Sequence, residues 1–210
     1  WRYIEGVQEF IKMNDVFEKY RQSLRETLDI FFINPILFLL IKLKLTPNLI
    51  TLIGFGTCVA ATYYISIGSF VLGGLLVFIS GVMDIFDGAM ARKMNLISDK
   101  GAFLDSTFDR LSESVILVGL IYFFSKENEL NAVLLASASL VFSLLISYLR
   151  ARLEGLGYNS KSGFFTRPER VLVVSLGLIF FSPAFTVTVL AIASLLGLAH
   201  RFLIFWRILK

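Results

Sequence analysis

The sequence predicts an all-α integral membrane protein, with six transmembrane helices preceded by an N-terminal interfacial amphipathic helix. Three observations carry that prediction. Hydrophobic residues fill 56% of 210 positions and charged ones only 17%, with a mean hydropathy of +0.76, too apolar for an ordinary water-soluble domain. Apolar stretches near the length of a membrane span recur six times. Lys and Arg gather at alternate junctions between those stretches, as loop charges do in multi-pass proteins.

The elements follow in order. The chain opens on Trp1 where a native product starts with methionine. Met13 would open a plausible chain, so residues 1–12 read as an expression scar or a clipped natural extension. Residues 13–48 carry Phe17, Leu24, Leu28, Phe31, Phe32, Leu37, Phe38 and Leu40 among acids, bases and Pro35. That pattern fits an interfacial amphipathic region better than a span. Thr46-Pro47-Asn48 then breaks the chain before the first membrane helix. A six-helix catalytic domain is expected over 49–210, with spans at 49–68, 70–91, 102–125, 131–150, 170–182 and 184–206. The fifth is short for about 30 Å of hydrocarbon unless it starts nearer Arg167, and Ser182-Pro183 forms the turn into the sixth.

Basic residues set the orientation. Arg92, Lys93 and Lys100 mark the second junction, and Arg150, Arg152, Lys161, Arg167 and Arg170 the fourth; more stand before the first span and after the last. The other junctions, near Gly68, Lys126 and Pro183, are nearly free of them. The positive-inside rule therefore places both termini and the second and fourth junctions in the cytoplasm.

Several functions are excluded. The net charge of +4 is split among loops rather than gathered into a stripe, and no recognition motif accompanies it, so no nucleic-acid partner is expected. One cysteine, Cys58, allows neither an internal disulfide nor a Cys-x-x-Cys centre. One histidine, His200, rules out a multi-histidine metal site and leaves oxygen ligands, hence hard cations such as Mg²⁺ or Mn²⁺.

The acids between Asp84 and Asp109 are the feature hardest to explain by packing. A charged side chain at mid-membrane costs about 3 kcal/mol even on lenient insertion scales. Asp84, Asp87, Gly88, Ala91 and Arg92 fall at i, i+3, i+4, i+7 and i+8, on one helical face; Gly101, Asp105 and Asp109 repeat at i, i+4 and i+8 on the next helix. A turn over 95–100 lets the two faces meet. Four converging carboxylates repel one another unless cations intervene. An ion-pair network with Arg92 and Arg110 is the alternative, as is an ion pathway, although the remaining spans hold no comparable acids. Small residues Gly88, Ala89, Ala91, Gly101 and Ala102 fit close helix packing, and beside the acids they also leave room for a nucleotide.

The pattern D-x-x-D-G-x-x-A-R, eight residues, then G-x-x-x-D-x-x-x-D is met at Asp84, Asp87, Gly88, Ala91, Arg92, Gly101, Asp105 and Asp109. It resembles the signature of the CDP-alcohol phosphotransferases, membrane enzymes of phospholipid synthesis. The resemblance implies transfer of a phosphatidyl or archaetidyl group from CDP-diacylglycerol or CDP-archaeol to an alcohol, with release of CMP. It implies that Asp84, Asp87, Asp105 and Asp109 hold one or two Mg²⁺ or Mn²⁺ ions and that Gly88, Ala91, Arg92 and Gly101 line the nucleotide site. Asp109 is implied as the catalytic base. It also implies a homodimer in a plasma membrane, of prokaryotic origin, with the site facing the cytoplasm.

The acceptor is indicated by a second constellation, Ser147 to Gly157 with Phe164 to Arg170, whose guanidiniums suit a phosphorylated alcohol. F-L-D-S-T-F-D-R and R-P-E-R look most like the phosphatidylinositol phosphate synthases of actinobacteria and their archaeal counterparts. By that resemblance Arg150, Arg167 and Arg201 bind the phosphate of inositol 1-phosphate or another polyol phosphate. Position 150 is commonly Lys in that subgroup. Glycerol 3-phosphate, and free alcohols such as serine or inositol, stay open as acceptors. Outside this class, a membrane prenyltransferase also pairs aspartates around Mg²⁺-diphosphate but lacks the D-G-x-x-A-R continuation, and a non-catalytic membrane protein is the other reading.

Overall fold

The computed structural model describes residues 34–158 and 163–209. The expected extension at 1–12 and amphipathic residues 13–33 lie outside them. The chain divides into two compact units at Thr46–Pro47. Of the first unit, the described part is helix α1 (Asn34–Lys42). Its segment ends with Leu45 N–H bonded to Leu40 O at 3.2 Å, across Lys44 at φ 57°.

Among the described residues the second unit holds six helices: α2 (Pro47–Ser66), α3 (Phe70–Lys93), α4 (Asp99–Lys126), α5 (Leu130–Gly155), α6 (Arg167–Phe180) and α7 (Pro183–Ile208). No strand occurs among the described residues. Each helix overlies one of the six expected apolar stretches. α2, α3, α5 and α7 are long and apolar enough to cross a membrane unaided. The other two differ for separate reasons. α4 has 28 residues, but Asp99, Lys100, Asp105, Asp109, Arg110 and Glu113 load its first fifteen positions with charge. α6 has 14 residues, about 21 Å of helix, and it does begin at Arg167.

The stops are local chemistry. After α2, α3, α4 and α5 a residue at positive φ (Gly68, Asn95, Asn128, Gly157) reverses the backbone. In each case the next N–H reaches back to a carbonyl in the last turn, for example Leu96 to Ala91 at 2.9 Å and Glu129 to Phe124 at 2.9 Å. These are Schellman caps, with Asn or Gly supplying the left-handed residue. Ser98 caps the start of α4 by accepting from Gly101 N at 3.1 Å. Ser182 does the same for α7 from Phe185 N at 3.2 Å, with Pro183 at the first helical position.

The principal packing pairs are α2 with α3, α3 with α6, α6 with α7, α7 with α5, α5 with α4 and α4 with α2. They form a closed ring. Its interior is filled by Cys58, Ala61, Ile65, Val77, Leu117, Leu120, Phe124, Ala136, Leu178, Val187 and Leu190. Small residues let the helices approach closely. A β-carbon on Gly74 would stand 2.8 Å from the Ser175 carbonyl, so α3 lies directly against the backbone of α6. The consecutive helices α3 and α4 are not principal partners, and α2 lies between them in the ring. Their acidic faces meet as expected, but across the ring rather than along a shared seam.

Candidate active site

The cleft at one end of the ring is lined by Thr51, Phe55, Ser80, Asp84, Asp87, Phe108, Asp109, Ser112 and Arg167 and has a volume of about 230 Å³. Four helices contribute: α2, α3, α4 and α6. Ser80 Oγ donates to Gly54 O at 2.9 Å and Cys58 Sγ to Ser112 O at 3.2 Å, tying α2 to α3 and to α4 in its floor. An edge-on contact between Phe55 and Phe108, 4.9 Å between centroids, closes the α2–α4 side.

Three of the four expected carboxylates gather. Oxygens of Asp84, Asp105 and Asp109 all lie within 4.8 Å of one another. Asp87 lies in the same cleft one turn beyond Asp84 but is 4% exposed, and its Oδ2 accepts a 2.6 Å hydrogen bond from Thr51 Oγ1. Thr51 has no counterpart in the sequence reading. It stands 36 positions from Asp87 on an apolar helix, and only the packing of α2 on α3 reveals it.

The alternative ion-pair network does not form with the arginines named for it. Among the described residues neither Arg92 nor Arg110 forms an ion pair with these acids; Arg110 Nη1 donates to the Ser106 carbonyl. Arg167 takes that place, with Nη1 2.6 Å from Asp84 Oδ2 and 2.8 Å from Asp109 Oδ1. Three carboxylates against one guanidinium leave an excess of negative charge, in an all-oxygen donor set suited to a hard divalent cation. Mg²⁺ and Mn²⁺ therefore fit the residues present.

The remaining expected residues fall into two groups. Gly88, Ala91 and Arg92 continue the α3 face beyond Asp87. A β-carbon on Gly88 would meet only Arg92 Nη1, at 3.5 Å, so that surface is open. Gly101 stands at the start of α4, facing Ser98 and Asn48. Of the expected acceptor arginines, Arg167 is in the cleft. Arg201 is 5% exposed and donates from Nη1 to Ile146 O at 3.1 Å. Arg150 is largely exposed and paired with Glu154 at 2.9 Å on its own helix.

A ring of apolar helices with a cluster of carboxylates at one end defines a metal-dependent transferase embedded in the membrane. The family pattern matches residues 44–205, nearly all of the ring. The chain belongs to the CDP-alcohol phosphatidyltransferase family. It is 32% identical to the archaetidylinositol phosphate synthase of Methanothermobacter thermautotrophicus over 185 residues, 85% of this chain and 91% of that one. The crystal structure of Mycobacterium tuberculosis phosphatidylinositol phosphate synthase with CDP-DAG bound superposes with a TM-score of 0.75 at 31% identity, covering 83% of this chain and 94% of the other. The same enzyme in complex with manganese and citrate gives a TM-score of 0.76, covering 83% and 89%.

Proposed function

We propose that this chain transfers the phosphatidyl or archaetidyl group of CDP-diacylglycerol or CDP-archaeol to a hydroxyl of inositol 1-phosphate, releasing CMP. The observation that carries the acceptor is a pair of orphaned donors. Arg167 Nε and Arg201 Nε are both buried and lack a hydrogen-bond partner among the described residues. A buried unmade hydrogen bond costs about 1–3 kcal/mol, and a ligand phosphate repays it. The names of the relatives point to the same acceptor.

In this reading Asp84, Asp87, Asp105 and Asp109 hold the cation. When bound, it neutralises charge on the diphosphate and makes CMP a better leaving group. Gly88, Ala91, Arg92 and Gly101 admit the cytidine nucleotide. Arg167 and Arg201 hold the acceptor phosphate, and Arg150 draws it in from the rim. Asp109 accepts the proton as the hydroxyl oxygen bonds to the lipid-side phosphorus, and the bond from that phosphorus to the bridging oxygen breaks with its electron pair leaving on CMP. The protein needs no covalent nucleophile.

The same reading takes α2 to α7 as six spans, the charged half of α4 and the short α6 being sheltered by the other four. It places both termini and the cleft on the cytoplasmic side of a prokaryotic plasma membrane, with residues 13–48 as the interfacial region, and has the protein act as a homodimer. Exposed Phe38 and Leu39 beside Lys42 support an interfacial α1. The deciding assay pairs a CDP-lipid with inositol 1-phosphate, glycerol 3-phosphate, inositol and serine in turn. A lipid product with inositol 1-phosphate supports the proposal; product only with a non-phosphorylated alcohol overturns it.

A further inference from the structure

One buried ion pair takes no part in the chemistry above. Arg170 is 2% exposed, and its guanidinium grips Glu113 at both ends: Nε to Oε1 at 2.5 Å and Nη2 to Oε2 at 2.8 Å. Its remaining nitrogen, Nη1, donates to the Phe165 carbonyl at 3.2 Å. Every nitrogen of Arg170 is thus engaged, whereas Nε of Arg167 and of Arg201 is not. Glu113 has both oxygens bonded to Arg170 and stands outside the cluster of Asp84, Asp105 and Asp109.

The pair forms the lower rung of a ladder. Asp109 and Glu113 stand one turn apart on α4, and Arg167 and Arg170 one turn apart on α6; the rungs are Asp109–Arg167 and Glu113–Arg170. A shift of α6 by one residue, about 1.5 Å along its axis, would break both. Of the two, the upper rung lines the cleft described above. The lower one is a bidentate fork whose planar geometry fixes orientation as well as distance.

The third contact extends the reach of Arg170. Phe165 has φ 58°, a left-handed conformation unfavourable for a residue with a bulky side chain, so its surroundings must enforce it. Arg170 holds its carbonyl, the ring is buried, and a β-carbon on Gly197 would meet Phe164 O at 3.0 Å, so the loop lies directly on α7. Two residues earlier, a β-carbon on Gly163 would collide with Arg201 Nη2. The loop that Arg170 fixes is thus packed against the second acceptor arginine.

We propose that Glu113 and Arg170 are positioning residues for the acceptor. The pair sets the register of α6 on α4 and the shape of loop 163–166, and thereby the placement of Arg167 and Arg201 around the acceptor phosphate. This rests on the reading that the acceptor is phosphorylated. A buried ion pair is weak evidence for a stabilising role, because replacing it by apolar residues of similar size is often neutral. That fact also supplies the test.

The double variant Glu113→Leu/Arg170→Met avoids the unpaired buried charge that either single truncation would leave. In the full-length protein, with inositol 1-phosphate as acceptor, its KM for acceptor should rise about 10- to 100-fold, the scale of a misplacement near 1 Å. KM for the CDP-lipid should stay within about twofold, because only acceptor binding has been disturbed. Arg170→Lys, which keeps the charge and loses the fork, should raise acceptor KM in the same direction by a smaller factor, with CDP-lipid KM unchanged. An unchanged acceptor KM in both variants, or a parallel rise in both KM values, overturns the proposal while leaving the acceptor reading intact. A wild-type protein inactive with every phosphorylated acceptor removes that reading and this proposal with it.

Discussion

Replacing Thr51 with valine removes the hydroxyl that bonds Asp87, and that also lies 3.2 Å from Pro47 O, at almost constant shape. Thr51 Oγ1 lies 2.6 Å from Asp87 Oδ2, and Asp87 is 4% exposed, so water cannot readily take over the bond. A hydrogen bond to a charged group is worth about 1.5–3 kcal/mol. At 1.4 kcal/mol per factor of ten, full loss corresponds to about 10- to 150-fold in an equilibrium that needs Asp87 held in place. Partners that orient metal ligands from outside contribute about 10- to 100-fold to metal affinity, which overlaps that range. T51V should therefore weaken Mn²⁺ binding by about 10- to 100-fold, while T51S, which keeps the hydroxyl, should bind close to wild type. The assay is titration of purified protein with Mn²⁺, following free ion by electron paramagnetic resonance. A T51V affinity equal to wild type, alongside a clear loss in D84N, would refute the role given to Asp87 and Thr51.

Three further outcomes are expected. D109N should lower CMP release by about 10²- to 10⁴-fold, the usual contribution of a general base, and equal turnover would remove Asp109 from that role. Chelation with EDTA should abolish CMP release, with recovery on adding Mg²⁺ or Mn²⁺ but not K⁺, measured in the same assay. Gly74→Ala should destabilise the bundle by about 1–3 kcal/mol, because the added carbon stands 2.8 Å from the Ser175 carbonyl; thermal unfolding in detergent would show it as a lowered Tm.

What was legible in the sequence was whatever repeats locally. Six apolar stretches mapped onto six helices, since apolar length and turn residues such as Asn95 and Gly157 act within a few positions. The spacing of Asp84, Asp105 and Asp109 survived for the same reason: it fixes a face, and the faces met. The partners of that face were hidden. Helices apolar nearly all round carry little periodic signal for which side turns inward, so Thr51 on α2 could not be tied to Asp87. Arg167 could be grouped with Arg150 as a loop charge, but its place between Asp84 and Asp109 depends on where α6 starts and how it packs on α3. Glu113 continues the i+4 series of Asp105 and Asp109, and that spacing was the one available signal; its partner Arg170 was read as a loop charge and as part of the acceptor constellation, with no link to Glu113.

The order of helices in the ring has a consequence for how the protein is made. The cleft draws its carboxylates from α3 and α4, while their counter-ion Arg167 lies on α6, the next-to-last helix. At a synthesis rate of about 5–20 residues per second, the stretch from Asp109 to Arg167 takes roughly 3 to 12 s to emerge. During that interval the most acidic of the described helices has been made without the guanidinium that pairs with its Asp109 in the finished protein. A chain truncated before α6 would carry the family motif intact and still lack the charge that completes its cleft.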